Sequence, residues 1–436
     1  KRIAAACAEW TPMTTLYEEL SWRGLVYDGT EGLNELFAKE HVTAYIGFDP
    51  TASSLHVGSL LQVMLLARLQ RYGHAPIAIV GGGTGMIGDP SGKSQERVLQ
   101  SMEQSEANLA GIRAQRSRFL DLDAPANAAR IVNNADWLAA IDLLSFLRDA
   151  GKHFTVNYML QKESVSRRLE SEDGMSFTEF SYLLLQAYDF LQLFDRYGCT
   201  LQMGGSDQWG NITAGIDLIR KLRAKKAHGL VVPLVMTAAG MKFGKSETGT
   251  IWLDPARTSP FQFYQFWLNT DDRDIITYVK YFTFLDRAAI DALERAQAAA
   301  PEKREASRVL AREVTTMVHG AEEMAKAERG AATVFAGDLR SMPAAELLSV
   351  LGDVPSTSVS AQDLEREALS KWLARTGLAS SSSDATRLIR GGGISINDER
   401  VTDEKKRLSR ADAIGGEIIV LGKGQRQKHV LRIDGD

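Results

Sequence analysis

Two segments of the chain carry side chains able to hold the phosphate groups of a nucleotide. His56, Gly58 and Ser59 stand at the start of a predicted helix, where free backbone N–H groups and the positive end of the helix dipole attract anions. Lys242 and Lys245 lie in a glycine-punctuated loop that could clamp phosphates. The alternative interpretation of His56 is that it only caps its helix. The alternative for the lysine segment is a solvated surface loop.

A third group of polar residues suits a different ligand. Tyr182, Gln186 and Asp189 are spaced four and three residues apart, so on a helix they share one face. A hydroxyl, an amide and a carboxylate together suit an ammonium group or a small polar ligand, although a solvated stripe has the same spacing. Asp207 and Gln208 follow a predicted strand and could hydrogen-bond a ribose or an amine.

A glycine-rich segment matches two nucleotide-binding motifs only in part. Three glycines within 83–88 have the GxGxxG spacing of dinucleotide-binding folds. That motif requires an acidic residue about twenty positions later at a strand end, but the region 103–106 has the pattern of a polar helix. Residues 92–94, Gly-Lys-Ser, end like a P-loop, but Ile87 occupies the position of its first glycine. The interpretation of the chain as an NAD-dependent dehydrogenase therefore rests on glycine spacing alone.

The elements that must position these residues alternate between short apolar strands and amphipathic helices. This alternation predicts an α/β domain with a Rossmann-like parallel sheet. Ligands of such sheets bind beyond the carboxyl ends of the strands, where the polar segments are concentrated. Strands are predicted at 43–47, 76–80, 200–203 and 230–235, and helices at 57–71 and 211–222.

The sequence pattern of the second half of the chain predicts an α-helical domain followed by a small α+β domain. Helices are expected at 364–378 and 384–389, followed by a hairpin at 394–401. The predicted organisation is an extension outside the fold at 1–12, the α/β domain at 13–258, charged helices at 259–340, a linker without periodicity at 341–362, and the last domain at 363–436.

Composition excludes several classes of protein. The 436 residues are 44% hydrophobic and 24% charged, as in globular proteins, and no apolar run reaches the roughly 18 residues that span a membrane. The apolar stretch near the N-terminus is too short for the core of a signal peptide, so a cytoplasmic location is expected. Two cysteines and seven scattered histidines predict no protein-bound metal. The net charge is −4, yet Lys and Arg outnumber Asp and Glu from residue 364 onwards, which weakly indicates nucleic-acid binding there.

Taken in order, these segments resemble the bacterial tyrosyl-tRNA synthetases, a family of class I aminoacyl-tRNA synthetases. Residues 56–59, His-Val-Gly-Ser, are similar to the first class signature, His-Ile-Gly-His, and residues 242–246, Lys-Phe-Gly-Lys-Ser, to the second, Lys-Met-Ser-Lys-Ser. The segments that resemble the tyrosyl branch are 47–51, 88–93, 177–182 and 204–211. One departure is Ser59, where the family usually has His or Asn.

The resemblance implies a role for each matching residue. Those expected at tyrosine are Tyr45 and Asp189 (phenol), Asp89, Tyr182 and Gln186 (α-ammonium), Gln208 (reacting carboxylate), and Asn134 with Trp137 nearby. Those expected at ATP are Gly58, Ser59, Gly205, Asp207 (ribose) and Lys245. Those expected in catalysis are Thr51 and His56 (γ-phosphate), and Lys93, Arg97, Lys242, Lys245 and Ser246 (departing pyrophosphate).

The resemblance also implies the reaction and the partners. L-tyrosine and ATP, with Mg²⁺ arriving on ATP, give tyrosyl-adenylate, and tyrosine then passes to the 3′ end of its tRNA. A homodimer is expected, with the 259–340 helices at the anticodon stem. The cations expected to bind RNA are Lys371, Arg375, Arg387, Arg390, Lys405, Lys406 and Arg407.

Two alternatives stay open within this resemblance. The first is a tryptophanyl-tRNA synthetase, although the pair Tyr45 and Asp189 favours a phenol over an indole. The second is a synthetase-like RNA-binding protein whose chemistry has lapsed, and Ser59 is its only support.

Overall fold

A computed structural model of the chain describes residues 14–50, 52–91, 119–170, 174–238, 240, 243–246, 249–336, 339–341, 343–344, 347–348, 351, 354–424 and 427–434. The chain divides into two compact units. The first is drawn from 1–254 and 270–306, and the second from 255–269 and 307–436. The predicted domain boundaries stay predictions.

Strands of the described residues are numbered in chain order. They are β1 (Asp28–Gly29), β2 (Thr43–Phe48), β3 (Ala75–Val80), β4 (Arg130–Asn133), β5 (Leu201–Gly205), β6 (His228–Val232), β7 (Lys245–Ser246), β8 (Gly249–Thr250), β9 (Ser356–Val359), β10 (Ile394–Ile396), β11 (Glu399–Val401), β12 (Ile418–Lys423) and β13 (Gln427–Ile433).

The α-helices of the described residues are numbered in the same way. They are α1 (Leu16–Trp22), α2 (Leu33–Lys39), α3 (Val57–Arg71), α4 (Ala135–Leu138), α5 (Leu143–Asp149), α6 (Val156–Leu160), α7 (Glu163–Leu169), α8 (Phe177–Tyr197), α9 (Trp209–Arg223), α10 (Pro260–Leu268), α11 (Ile275–Phe282), α12 (Arg287–Ala299), α13 (Glu305–His319), α14 (Ala321–Ala336), α15 (Ala361–Arg366), α16 (Leu369–Arg375) and α17 (Ser382–Arg390).

The first unit is built on a six-stranded sheet with the order β1-β6-β5-β2-β3-β4. Its strands are parallel except for β1, which pairs antiparallel with β6. Every residue of β3 is buried, as expected for a strand covered on both faces. The Rossmann-like parallel sheet predicted from the sequence is therefore confirmed, with β2 near its centre.

Helix α8 is the longest helix of the described residues, and both of its ends are fixed locally. Ser176 caps the N-terminus by accepting the backbone N–H of Glu179, and Gly198 ends the helix with a φ of +61°. Arg168 on α7 donates to both carboxylate oxygens of Glu179, at 3.1 and 3.0 Å, and both side chains are buried. This ion pair holds the first turn of α8 against α7.

The second unit contains a five-stranded sheet with the order β11-β10-β12-β13-β9. Ile419 and Leu421 of β12 pack with one apolar cluster, while Ile418 and Val420 pack with another, so the strand is covered on both faces. The hairpin between β10 and β11 turns at Asn397 and Asp398, whose φ angles of +49° and +65° are typical of a type I′ turn.

Several predicted bounds differ from the structure for physical reasons. β6 ends at Val232 rather than 235, because Pro233 has no backbone N–H to donate to a neighbouring strand. The helix predicted at 364–378 is broken by the extended backbone of Glu367. Residues 356–359, within the segment without periodicity, form β9 and pair with β13. No helix of the described residues is both long and apolar enough to cross a membrane.

Candidate active site

A cavity of about 620 Å³ opens where β2, β3 and β5 end, at the carboxyl edge of the sheet. Many of the residues predicted from the sequence line it together. They are Tyr45, His56, Gly58, Ser59, Asp89, Asn134, Tyr182, Gln186, Asp189, Gly205, Asp207 and Gln208. The expectation that the polar residues gather beyond the strand ends is confirmed for this set.

Tyr45 and Asp189 are two buried polar residues of the cavity lining. Tyr45 is 1% exposed, and its hydroxyl has no hydrogen-bond partner among the described residues. Asp189 accepts hydrogen bonds from Asn134 Nδ2 at 2.9 Å and from Trp137 Nε1 at 2.7 Å. Burial raises the pKa of Asp189 to about 7, and burial together with the charge of Asp189 raises the pKa of Tyr45.

Asp49, at the end of β2, organises a second group of hydrogen bonds. Thr84 Oγ1 donates to Asp49 Oδ1 at 2.9 Å, and the Tyr182 hydroxyl donates to Asp49 Oδ2 at 3.0 Å. Asn134 Nδ2 donates to Thr84 Oγ1 at 2.9 Å, so this group is continuous with the hydrogen bonds of Asp189. Burial, followed by the charge of Asp49, raises the pKa of the Tyr182 hydroxyl well above its usual value. Tyr182 therefore stays a neutral donor.

Asp89 belongs to a third group, which contains three amide side chains. Gln208 Nε2 donates to Asp89 Oδ2 at 2.7 Å, and Gln186 Nε2 donates to Gln208 Oε1 at 3.2 Å. Asn211 Nδ2 contacts the oxygens of Gln186, at 3.0 Å, and of Ser91, at 3.2 Å. Together these groups present a carboxylate and amide oxygens on one side of the cavity.

The two segments predicted to bind phosphate meet at the start of α3. Gly58 N–H donates to His56 Nδ1 at 3.0 Å, so the neutral imidazole carries its proton on Nε2. Gly244 has a φ of +90°, and a Cβ there would lie 2.9 Å from Val57 Cγ2 and 3.2 Å from the backbone nitrogen of Gly58. A side chain at 244 would therefore separate the two segments.

Several predicted catalytic residues lie outside the described residues. They are Thr51, Lys93, Arg97 and Lys242. For Lys245 and Ser246 the structure describes only the backbone, which pairs antiparallel with Thr250 and Gly249. The predicted roles of these six residues stay predictions.

Four further polar residues of the site were not singled out from the sequence. Asp49 directly follows β2, Thr84 lies in the loop after β3, and Asn211 lies in the first turn of α9 after β5, so the rule that ligands bind beyond strand ends could have identified all three. Gln62 lies three residues after Ser59 on α3, and its buried Oε1 has no hydrogen-bond partner among the described residues. Only its helical spacing from Ser59 could have identified it.

Most of the seven cations predicted to bind RNA already form pairs within the second unit. Arg375 pairs with Glu367, Arg387 with Asp384, Arg390 with Glu404 and Lys406 with Asp412, while Arg407 donates to the carbonyl of Arg366. Lys371 and Lys405 are exposed and have no ion-pair partner within the described part of the chain. The side chains of Arg387 and Arg390 are 81% and 74% exposed, so their pairs are weak and exchangeable.

Comparison with known proteins identifies the family. A family model described as tRNA synthetases class I (W and Y) matches residues 38–336, and one described as Tyrosine–tRNA ligase SYY-like C-terminal domain matches 346–431. A tyrosine–tRNA ligase of Roseiflexus castenholzii is 55% identical over 97% of this chain and 100% of its own length. A tyrosine–tRNA ligase of Geobacillus stearothermophilus is 50% identical over 96% of this chain and 99% of its own.

A solved structure gives the same result. The C-terminally truncated mitochondrial tyrosyl-tRNA synthetase of Aspergillus nidulans has a TM-score of 0.66 and 31% identity, covering 74% of this chain and 94% of that chain. The similarity therefore extends from sequence to fold.

The bond between Asp49 and Thr84 depends on the missing side chain of Gly81. A Cβ on Gly81 would lie 2.1 Å from Asp49 Oδ1 and 2.4 Å from Thr84 Oγ1. We expect Gly81→Ala to lower the free energy of unfolding by about 1–3 kcal/mol, measured by urea denaturation, because both side chains must move. Gly47→Ala is the control, since its Cβ would meet only Ile79 Cγ2 at 3.4 Å. Equal midpoints for the two variants would contradict this interpretation.

Proposed function

This chain belongs to the class I tRNA synthetases for tryptophan and tyrosine, and we propose that it acts as a tyrosine–tRNA ligase whose chemistry takes place in the cavity at the carboxyl edge of the sheet. It activates L-tyrosine with ATP to tyrosyl-adenylate and pyrophosphate, and transfers tyrosine to the 3′ end of tRNA. The residues that line the cavity divide between recognition of the amino acid and activation of its carboxylate.

The pair Tyr45 and Asp189 carries the assignment of the amino acid. A phenol can accept from the Tyr45 hydroxyl and donate to the Asp189 carboxylate, so it pairs both buried groups. An indole N–H only donates and would leave the Tyr45 hydroxyl unpaired, and phenylalanine would offer a hydrogen bond to neither group. A buried polar group without a partner costs free energy, so the pair favours tyrosine over tryptophan.

The α-ammonium group of tyrosine would lie beside Asp89, Gln186 and Tyr182. The Asp89 carboxylate and the Gln186 amide oxygen are acceptors, and the Tyr182 hydroxyl, which donates to Asp49, keeps lone pairs for an ammonium proton. Gln208 would then lie near the reacting carboxylate, and the family resemblance implies that Asp207 binds the ribose.

Activation forms a bond between a tyrosine carboxylate oxygen and the α-phosphorus, and breaks the bond from that phosphorus to the oxygen bridging to the β-phosphate. Charge builds on the departing pyrophosphate, where the Nε2 proton of His56 is suited to donate. Thr51, Lys93, Arg97, Lys242, Lys245 and Ser246 keep the roles that the family resemblance implies for them. No covalent intermediate with the protein is needed, because the substrate carboxylate is the nucleophile.

Magnesium would enter as part of the ATP complex. Within the described ranges no group of three or more His, Cys, Asp or Glu side chains is arranged to hold a metal ion. Mg²⁺ generally binds substrate phosphates and water rather than a dedicated protein cage. When bound, the ion would neutralise charge on the phosphates.

Gln62 can compensate for Ser59, which stands where the family usually has His or Asn. Both side chains lie on one face of α3 and line the cavity, and the buried Gln62 Oε1 lacks a partner among the described residues. Gln62 therefore offers the nucleotide an amide one helical turn beyond the shorter Ser59. This supports an active enzyme over one whose chemistry has lapsed.

Binding of tRNA is proposed for the cations of the second unit and, separately, for the 259–340 helices, which are divided between the two units and would lie at the anticodon stem. Lys371 and Lys405 supply exposed cations, and the exposed pairs of Arg387 and Arg390 can exchange a carboxylate for a phosphate. Because its substrates include tRNA and ATP, the enzyme is proposed to work in the cytoplasm.

A homodimer is proposed from exposed apolar side chains. Among the described residues most such side chains lie within 143–177, including Leu144, which is 77% exposed, and Phe177, which is 79% exposed. Leu234 and Met236, which are also exposed, line the cavity instead. Large apolar groups gathered in one segment are typical of an interface with another chain, and a second copy is the expected partner.

Tyrosine affinity should depend on the ionisation of Asp189. With a pKa of about 7 in the free enzyme, its carboxyl is protonated at low pH and loses an acceptor for the phenol. Affinity should therefore fall as the pH is lowered through 7, by about tenfold from pH 8 to pH 6, measured by calorimetry. Asp189→Asn is the control and should bind weakly with no such slope. A wild-type affinity that stays constant over this range would contradict the assignment.

The dimer can be tested by one charge at Phe177. Phe177→Asp puts a carboxylate in the first turn of α8, where it favours the helix, so we expect dissociation without unfolding, seen as a halved mass in light scattering. Tyr27→Asp is the control, because Tyr27 is a 66% exposed ring beside edge strand β1. A monomeric wild type, or the same loss in both variants, would disprove this interface.

A further inference from the structure

Trp252 lies against His56 although the two residues are far apart in sequence. Their backbones form an antiparallel bridge. Val57 N–H donates to the carbonyl of Ile251 at 3.0 Å, and Leu253 N–H donates to the carbonyl of Leu55 at 2.9 Å. The segment that follows β8 is therefore fixed along the start of α3 by two backbone hydrogen bonds, one on each side of Trp252.

The side chains of the pair are also in contact. The rings of His56 and Trp252 have centroids 6.0 Å apart and planes at 79°, which is an edge-to-face arrangement. On another side of the imidazole, Gly58 N–H donates to Nδ1, and a Cβ on Gly58 would lie 2.7 Å from His56 Cε1. The hydrogen bond fixes which nitrogen carries the proton, and the indole limits rotation of the imidazole plane.

We propose that Trp252 is a positioning residue for tyrosine activation, which holds the imidazole of His56 so that its Nε2 proton points to the phosphates of ATP. The inference rests on the proposed role of His56. Trp252 follows β7 and β8 directly, and Ile251 N–H donates to the carbonyl of Gly244 at 3.2 Å. The segment with the second signature is thereby connected to the orientation of His56.

The test compares substitutions of Trp252 in two backgrounds. Trp252→Leu keeps an apolar side chain but removes the ring, whereas Trp252→Phe keeps a ring edge. We expect Trp252→Leu to lower kcat for ATP–pyrophosphate exchange about tenfold or more, with little change in KM for tyrosine, since a small misplacement of a donor is costly in the transition state. Trp252→Phe should recover most of the rate.

The His56→Ala background separates positioning from packing. If Trp252 acts through His56, adding Trp252→Leu to His56→Ala should lower kcat by less than about twofold further. Leu253→Ala is the matched control: Leu253 is 2% exposed, so its truncation should lower the melting temperature while kcat measured at low temperature stays near wild type.

Two kinds of failure can be told apart. Equal losses from Trp252→Leu in both backgrounds, or a wild-type rate in Trp252→Leu, would overturn the positioning role. A wild-type rate in His56→Ala would instead overturn the assignment of His56, on which the inference rests.

Discussion

The burial of one carboxylate, that of Asp189, is the constraint on which the catalytic unit depends. Asp189 is only 3% exposed, so its charge must be balanced by hydrogen-bond donors, and Asn134 and Trp137 supply two of them. Asp189 can accept further hydrogen bonds from the cavity that it lines. The Tyr45 hydroxyl lines the same cavity and has no partner among the described residues. A phenol can form hydrogen bonds with both groups. The burial that makes the charge of Asp189 costly therefore also makes the site select a phenol.

A continuous set of hydrogen bonds transmits this constraint across the sheet. Asn134 donates to both Asp189 and Thr84, and Thr84 donates to Asp49, which also accepts from Tyr182. Residues that follow three neighbouring strands are thus held relative to α8. Such a connected polar network is rigid when every member is satisfied, which is what a site that must position a small amino acid requires.

The sequence was informative where the chemistry follows from local periodicity. The helical spacing of Tyr182, Gln186 and Asp189 correctly put them on one helix face, and the parallel sheet followed from alternating strands and helices. The donors to Asp189 could not be obtained in this way, because they come from residues more than fifty positions earlier. Strand β9 was missed for a related reason, since its polar residues are ordered by pairing with β13 and not by their own pattern.

The central claim is that Tyr45 and Asp189 select a phenol, and amino-acid-dependent exchange of pyrophosphate into ATP tests it most directly. With the purified chain, tyrosine, phenylalanine and tryptophan would be compared at saturating ATP. Exchange that depends on tyrosine and is far slower with the other two amino acids is the predicted result. Comparable exchange with phenylalanine or tryptophan would contradict the claim, because neither can pair both buried groups.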